Sequence, residues 1–213
     1  MGDTFGQGIE NEKPVHTVRV QDFYIARHPV TQAQWLRLMP DNPSKFQGAD
    51  HPVEQVSWRD AVDFARRLNE AHAGRFRFRL PAEAEWEYAA RSRGREELYA
   101  GSADIETVAW IADNSGGRTQ PVGRKAPNGL GLFDMSGNVW EWCRDIFAAD
   151  AYEHHAPDDP LIENERIHET PDRVIRGGSW NLDAWSARCA RRFSFKEDFF
   201  GPALGFRLAM TLV

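Results

Sequence analysis

The stretch Asn128-Gly-Leu-Gly-Leu-Phe-Asp-Met-Ser-Gly-Asn-Val-Trp-Glu-Trp142 decides the fold of this chain. Glycine and asparagine interrupt it so often that neither a helical nor a strand period continues for long. The stretch ends in two tryptophans, and the chain carries eight in all. Each tryptophan buries a large apolar area, yet its indole N–H needs a hydrogen-bond partner. The pattern therefore predicts irregular turns held by aromatic anchors.

Regular structure is predicted mainly upstream of this stretch. Two helix starts are marked by capping-box patterns, Thr31 with Gln34 and Ser57 with Asp60. A third helix is predicted from about Pro81 to Arg91, because proline is tolerated in a first helical turn. Strands are predicted at Val15–Val20, Phe23–Ile25 and Arg75–Arg79. The coarse prediction is an α+β domain, irregular and rich in loops, with short strands and two to three helices.

Length and charge limit the classes of protein to which the chain can belong. Its 213 residues suit one domain spanning 1–213. The net charge is −6, with both signs interspersed, which argues against a nucleic-acid partner. No apolar run is long enough for a transmembrane helix, and residues 1–14 lack a signal-peptide pattern. The compartment is left open: cytoplasmic by default, with surface display open to a chain whose leader has been removed.

Two cysteines, Cys143 and Cys189, lie far apart in the sequence. The residues alone leave three readings, namely a disulfide, two buried thiols or one reactive thiol. The acidic segment Phe147–Asp172 is predicted to be a solvated surface excursion. Its three histidines, His154, His155 and His168, have no spacing typical of a metal site.

Seven short motifs occur in order along the chain. They are Glu12-Lys-Pro-Val-His16, Pro29-Val-Thr31, Pro52-Val-Glu-Gln-Val-Ser-Trp58, Arg79-Leu-Pro-Ala-Glu-Ala-Glu-Trp-Glu-Tyr-Ala-Ala-Arg91, Asn128–Trp142, Arg176-Gly-Gly-Ser-Trp180 and Leu204-Gly-Phe-Arg207. Together they resemble the formylglycine-generating-enzyme, or sulfatase-modifying-factor, family over nearly the whole chain. The resemblance implies an irregular α+β fold that shares its core with C-type lectins.

The catalytic branch of that family binds copper through two cysteines, as the resemblance implies. Cys189 matches the second of them, but Ala184 occupies the position of the first. Linear copper(I) coordination needs two soft ligands, so no copper and no formylglycine-generating activity are expected. A second branch resembles the pyoverdine-maturation enzymes. It keeps open an oxidase-like or modifying enzyme with Cys189 in its site.

Another branch comprises the variable proteins of diversity-generating retroelements, in which a lectin-like domain carries a diversified C-terminal surface. Residues 176–207 are the corresponding segment here. Several side chains within it are of types that adenine-directed mutagenesis of asparagine codons can reach, and four phenylalanines fall between Phe193 and Phe200. If exposed, they would form an apolar patch typical of a binding site. The alternative is that Phe193 and Phe195 point into the core while Phe199 and Phe200 cover a loop.

The first hypothesis is therefore a non-catalytic ligand-binding domain whose partner is a protein or another macromolecule. The expected binding residues are Leu182, Asp183, Trp185, Ser186, Arg191, Phe193, Phe195, Phe199 and Phe200.

A structural calcium site is also implied by the resemblance. Its ligands would be the side chains of Asp134 and Glu141 and the carbonyls of Gly137 and Val139, a set of oxygens that suits calcium. The alternative is that Glu141 caps the turn or pairs with a nearby arginine. Arg176 and Arg207 are predicted to brace buried carboxylates.

Overall fold

Side-chain caps set the starts of the helices in the computed structural model, which describes residues 1–72, 74, 76–163 and 170–212. Thr31 and Gln34 form a reciprocal capping box, and Ser57 and Asp60 form another, as predicted. The α-helices are α1 (Gln32–Trp35), α2 (Trp58–Ala71), α3 (Glu83–Ala90), α4 (Ile105–Val108) and α5 (Ala151–His154). Two 3-10 helices cover Glu10–Glu12 and Ala184–Ala187. No helix among the described residues has the length and apolar character needed to cross a membrane.

Seven short strands form two sheets. They are β1 (Tyr24–Ile25), β2 (Phe76–Arg79), β3 (Trp140–Ile146), β4 (Asp172–Arg176), β5 (Arg192–Lys196), β6 (Leu204–Gly205) and β7 (Ala209–Leu212). One sheet has the order β1-β7-β2 and the other β5-β4-β3-β6. In the second sheet β3 pairs with β6 in parallel, whereas β4 is antiparallel to both of its neighbours. The strand β5 therefore lies at an edge of this sheet.

The predicted strand at Val15–Val20 is wrong. This segment forms only a single bridge, between Arg19 and Asp158, and runs over the surface without joining either sheet. The segment is extended, and its side chains are alternately exposed and half-buried, which accounts for the alternation of residue types. Pattern alone cannot supply the neighbouring strand that a sheet requires.

Tryptophan anchors occupy the core between α2 and the four-stranded sheet, as predicted. Trp142 is fully buried, and its Nε1 donates to the carbonyl of Val56 at 3.0 Å. The Nε1 of Trp180 donates to the carbonyl of Pro202 at 2.9 Å. The first bond ties a loop to β3, and the second joins the loops on either side of β5.

Candidate functional site

A tight turn after β4 fixes the start of the C-terminal segment. Gly178 has φ +73°, and a Cβ at this position would lie 2.7 Å from the carbonyl oxygen of Ser186. Only glycine combines that backbone conformation with such a close approach. The turn leads to the 3-10 helix Ala184–Ala187, which Asp183 caps by accepting bonds from the backbone N–H and the hydroxyl of Ser186. Asp183 and Ser186, two of the expected binding residues, are thus bonded to each other.

Aromatic side chains form a continuous row on the outside of β5. Phe193 and Phe195 lie two residues apart on one face, with ring centroids 5.4 Å apart in a T-shaped pair. Phe195 stacks on Phe199 at 4.2 Å. Phe193 and Phe199 are exposed, and Phe200 is 60% exposed. The row is therefore open to solvent over most of its length.

Arg191 and Trp185 extend this row beyond the strand. The Arg191 guanidinium lies 4.5 Å from the Trp185 ring centroid and 5.5 Å from that of Phe193. Trp185 is exposed, and its Nε1 donates to the carbonyl of Gln7. We call the six side chains the aromatic surface: Trp185, Arg191, Phe193, Phe195, Phe199 and Phe200.

Two of the expected residues contribute partly to the core instead. Leu182 is half-buried and packs against the main core cluster, and so does Phe195. The alternative in which Phe193 points into the core is wrong, because this ring is 41% exposed. β5 is an edge strand, and this face of it is covered only in part: Phe195 packs on the core, and the Phe193 ring centroid lies 6.4 Å from that of the buried Trp140.

Cys189 lies beneath this surface and has no exposed area. Burial raises the pKa of its thiol to about 12, so the thiol is protonated at neutral pH. Cys143 is also fully buried in the same core cluster, where burial raises the pKa of its thiol, and both cysteines are free. Of the three readings left open by the sequence, two buried thiols is confirmed. Ala184 is half-buried on the 3-10 helix and packs near Tyr99.

A buried ion network supports β5 from its inner face. Arg192 bonds both carboxylate oxygens of Glu83 at 2.8 Å, and Arg176 contacts both Glu83 and Glu87. The hydroxyl of Tyr152 donates to Glu83 at 3.2 Å. Burial works against the ionised form of Glu87, but the charges of Arg176 and Arg91 outweigh it, so the pKa of this carboxyl lies below its usual value.

Sequence reasoning missed this network. Glu83 and Glu87 are four residues apart, a spacing that places both on one helical face. That spacing was the available signal. The prediction that Arg176 and Arg207 brace buried carboxylates is confirmed by the pairs with Glu83, Glu87 and Glu141.

The first residues of the chain cover the 3-10 helix from the other side. Arg188 bonds Glu12 through two nitrogens, at 2.8 and 3.0 Å. Arg192 also donates to the carbonyl of Asn11. The N-terminal segment is thereby tied to the base of the aromatic surface.

The two carboxylates of the expected calcium site, Asp134 and Glu141, already have hydrogen-bond partners. Arg207 donates to both oxygens of Glu141, at 2.6 and 2.7 Å, and Trp86 donates to one of them at 2.7 Å. Asp134 accepts from the backbone N–H of Gly123 and from the side chain of Asn138. The carboxylates are of the right chemical class, but a calcium ion would have to share Glu141 with the guanidinium of Arg207. The calcium site therefore stays a prediction.

The histidines of the acidic segment do not converge. His155 contacts His16 through ring nitrogens 3.1 Å apart, and His154 lies 3.8 Å from Asp150. His168 lies outside the described residues. Within the part of the chain that the structure describes, no group of three or more His, Cys, Asp or Glu side chains could hold a metal ion.

Comparison with known proteins identifies relatives over the whole chain. The family model for the sulfatase-modifying factor enzyme 1-like domain matches residues 1–212. A protein named chaperone protein LppX from Paenibacillus barcinonensis is 32% identical, over 91% of this chain and 82% of its own length. The formylglycine-generating enzyme of Streptomyces coelicolor is 31% identical, over 98% of this chain and 85% of its own length.

Solved structures agree with this match. Variable protein 1 of Treponema denticola superposes with a TM-score of 0.83 and 29% identity, covering 98% of this chain and 90% of that chain. PvdO from Pseudomonas aeruginosa superposes with a TM-score of 0.86 and 26% identity, covering 100% and 90% of the two chains. The irregular α+β fold expected from the motifs is confirmed by these neighbours. The chain belongs to the family of the sulfatase-modifying factor enzyme 1-like domain, the domain of the formylglycine-generating enzymes.

Proposed function

We propose that this protein is a non-catalytic ligand-binding domain that holds a macromolecular partner on its aromatic surface. The observation that carries the proposal is the solvent-exposed row of rings from Phe193 to Phe200. Phe193 is 41% exposed, Phe199 42% and Phe200 60%. Contiguous apolar rings in water are costly, and a partner that covers them releases that cost. The exposure of these rings on and beside the edge strand β5 therefore favours a role in binding a partner over a role in stabilising the fold.

The surface is arranged so that little order has to be gained on binding. Phe195 and Phe199 are already stacked, and Arg191 already lies against Trp185. Aromatic residues and arginine supply most of the energy in many protein interfaces, and side chains that are rigid beforehand lose less entropy. A protein partner suits this chemistry better than a nucleic acid, given the net charge of −6.

The environment of Cys189 supports a binding role over catalysis. A nucleophilic or metal-binding cysteine acts as its thiolate, whereas this thiol is buried and has a pKa of about 12. Ala184 stands where the family resemblance places the first of the two copper-binding cysteines. The similarity to variable protein 1 of Treponema denticola extends over nearly all of both chains and agrees with a recognition domain.

Diversification of residues 176–207 by a retroelement is the finer part of the proposal. It requires a neighbouring reverse-transcriptase gene together with a near-copy of the codons for Gly177–Arg207 that differs from them only at adenines. Sequencing of the surrounding genome tests this part. A genomic neighbourhood without both features would remove diversification and leave the binding role standing.

Site-specific photo-crosslinking in the source cells tests the binding role. A benzophenone side chain at Phe199 is expected to capture a discrete partner, and excess unlabelled domain should compete for it. Phe76 on β2 is a matched control, because it is similarly exposed but lies on the other sheet. Capture of the same species from both positions, or no discrete product from Phe199, would count against the proposal.

A modifying enzyme with Cys189 in its site is the second candidate, favoured by the identity with the Streptomyces coelicolor formylglycine-generating enzyme. Iodoacetamide labelling of the folded protein at pH 7.5, followed by peptide mass analysis, separates the two candidates. We expect Cys189 to resist labelling until denaturant is added. Rapid labelling of this thiol in the native protein would favour the enzyme.

A further inference from the structure

Arg191 at the centre of the aromatic surface has one long ion pair, with Glu12, and two buried nitrogens without a hydrogen bond. Its side chain is only 11% exposed. Its Nε and Nη1 are buried and make no hydrogen bond to any described residue. The guanidinium is instead sandwiched between the rings of Trp185 and Phe193.

The nearest carboxylate does not satisfy Arg191. Glu12 Oε1 lies 3.6 Å from Nη1, beyond hydrogen-bonding distance, and both oxygens of Glu12 already accept from Arg188. Asp3, the other acid nearby, lies 3.8 Å from Arg188 and accepts from the backbone N–H of Gly8 at 2.7 Å. The acids of the N-terminal segment are thus committed to other donors.

The two arginines nearest to Arg191 in the sequence, Arg188 and Arg192, have the bidentate carboxylate contact that Arg191 lacks. A guanidinium with fixed, unbonded N–H groups against apolar rings is costly alone, but it binds an incoming carboxylate strongly because little water has to be displaced. Its planar fork matches the two oxygens of a carboxylate.

We infer that Arg191 binds a carboxylate of the partner, supplied by an aspartate or glutamate next to an aromatic or aliphatic side chain. The inference rests on the proposed function and adds the chemistry of the ligand to it. Trp185 and Phe193 flank the charge, so the apolar neighbour of that carboxylate packs on their rings.

A pair of small probes isolates the charge. N-acetyl-L-phenylalanine carries the carboxylate and the ring, and N-acetyl-L-phenylalaninamide carries the same ring without the charge. The Nε1–H resonance of Trp185, assigned through Trp185→Phe, reports binding by NMR titration. In the wild-type protein we expect the carboxylate to bind at least about fivefold more tightly than the amide.

Three variants assign that preference to a side chain. Arg191→Gln is expected to bring the two affinities to within about twofold. Arg191→Lys keeps the charge but loses the fork, so it should retain part of the preference, and thermal unfolding checks that both variants fold. Arg118→Gln is the matched control, because this exposed arginine also lies over a ring, that of Phe46 at 5.8 Å, and should keep the full preference.

Several outcomes would overturn the inference about Arg191, and none of them by itself decides the proposed binding role. Equal binding of the two probes to the wild-type protein would remove the role of Arg191 and leave an aromatic binding surface. A preference that survives in Arg191→Gln, or disappears in Arg118→Gln, would place the charge recognition elsewhere. Binding of neither probe would also overturn it, whereas the crosslinking at Phe199 would still decide the proposed function independently.

Discussion

Arg192 and Phe193 are neighbours on β5, yet the charged residue is inside and the aromatic residue outside. Arg192 has no exposed area and holds Glu83, whereas Phe193 is 41% exposed. The usual pattern of a half-buried strand is reversed at this point. Burial here depends on the available partners, because α3 and the N-terminal segment supply acceptors to Arg192, whereas the face that carries Phe193 is covered only in part, beside Trp140.

Removal of the buried charge of Arg192 should lower the free energy of unfolding more than any other change proposed here. Arg192→Met leaves Glu83 in the core with only Arg176 and Tyr152 as partners. Loss of one member of a buried ion pair costs about 3–5 kcal/mol, which we expect to measure as a lower free energy of unfolding in urea. Arg19→Met removes an exposed ion pair with Asp158 and should change this quantity little. A loss below about 1 kcal/mol in Arg192→Met would show that the network contributes no more than a surface pair.

Glu54 contrasts with Glu83, because it is a buried carboxylate that forms no ion pair with a described residue. Its Oε1 accepts from the backbone N–H of Phe46, and its Oε2 has no partner among the described residues. Burial raises the pKa of this carboxyl to about 7, so the folded state holds the proton more tightly than the unfolded state. Its contribution to stability is therefore present below the unfolded pKa and is lost as the pH rises through 7.

Glu54→Gln should remove that loss. At pH 4, below the unfolded pKa, we expect the variant and the wild-type protein to have similar free energies of unfolding. At pH 8.5 the variant should be more stable, by about 1 kcal/mol after allowance for solvent screening. Parallel stability curves for the two proteins between these pH values would contradict the raised pKa.

The outer face should tolerate change. Phe200→Ala is expected to alter the free energy of unfolding by less than about 0.5 kcal/mol, because an exposed ring loses little packing. Phe206→Ala is the buried control. Phe206 has no exposed area and packs against Trp35 and Phe64, so its loss should cost about 3–5 kcal/mol. Similar costs at both positions would mean that the aromatic surface is part of the core.

The smallest effect is expected from a calcium chelator. Glu141 already has Arg207 as its counter-charge, so removal of calcium should shift the melting temperature by less than about 1 °C. Arg207→Met is informative as a second measurement, because it frees the carboxylates for an added ion. A clear loss of melting temperature with chelator in the wild-type protein would restore the calcium site at Asp134 and Glu141.

Local chemistry made several features predictable. The capping boxes at Thr31 and Ser57 depend on residues three positions apart, and both formed as expected. The glycine and tryptophan motifs predicted the irregular fold. The stretch that ends at Trp142 was less irregular than expected, since Trp140 begins the seven-residue strand β3. Pairing with β4 and β6 imposes that strand, and neither neighbour is local in sequence.

The amino-acid sequence alone was enough to predict the family and the capped helix starts, because these follow from motifs and short-range spacing. Which residues of β5 face water depended on the folded chain. Burial depends on what the rest of the chain brings alongside, and residues as distant as Glu12 and Glu83 were needed to place Arg188 and Arg192 inside. The same packing left two nitrogens of Arg191 without a hydrogen bond and left Phe193, Phe199 and Phe200 exposed, so the surface that we propose to bind a partner is a property of the folded chain.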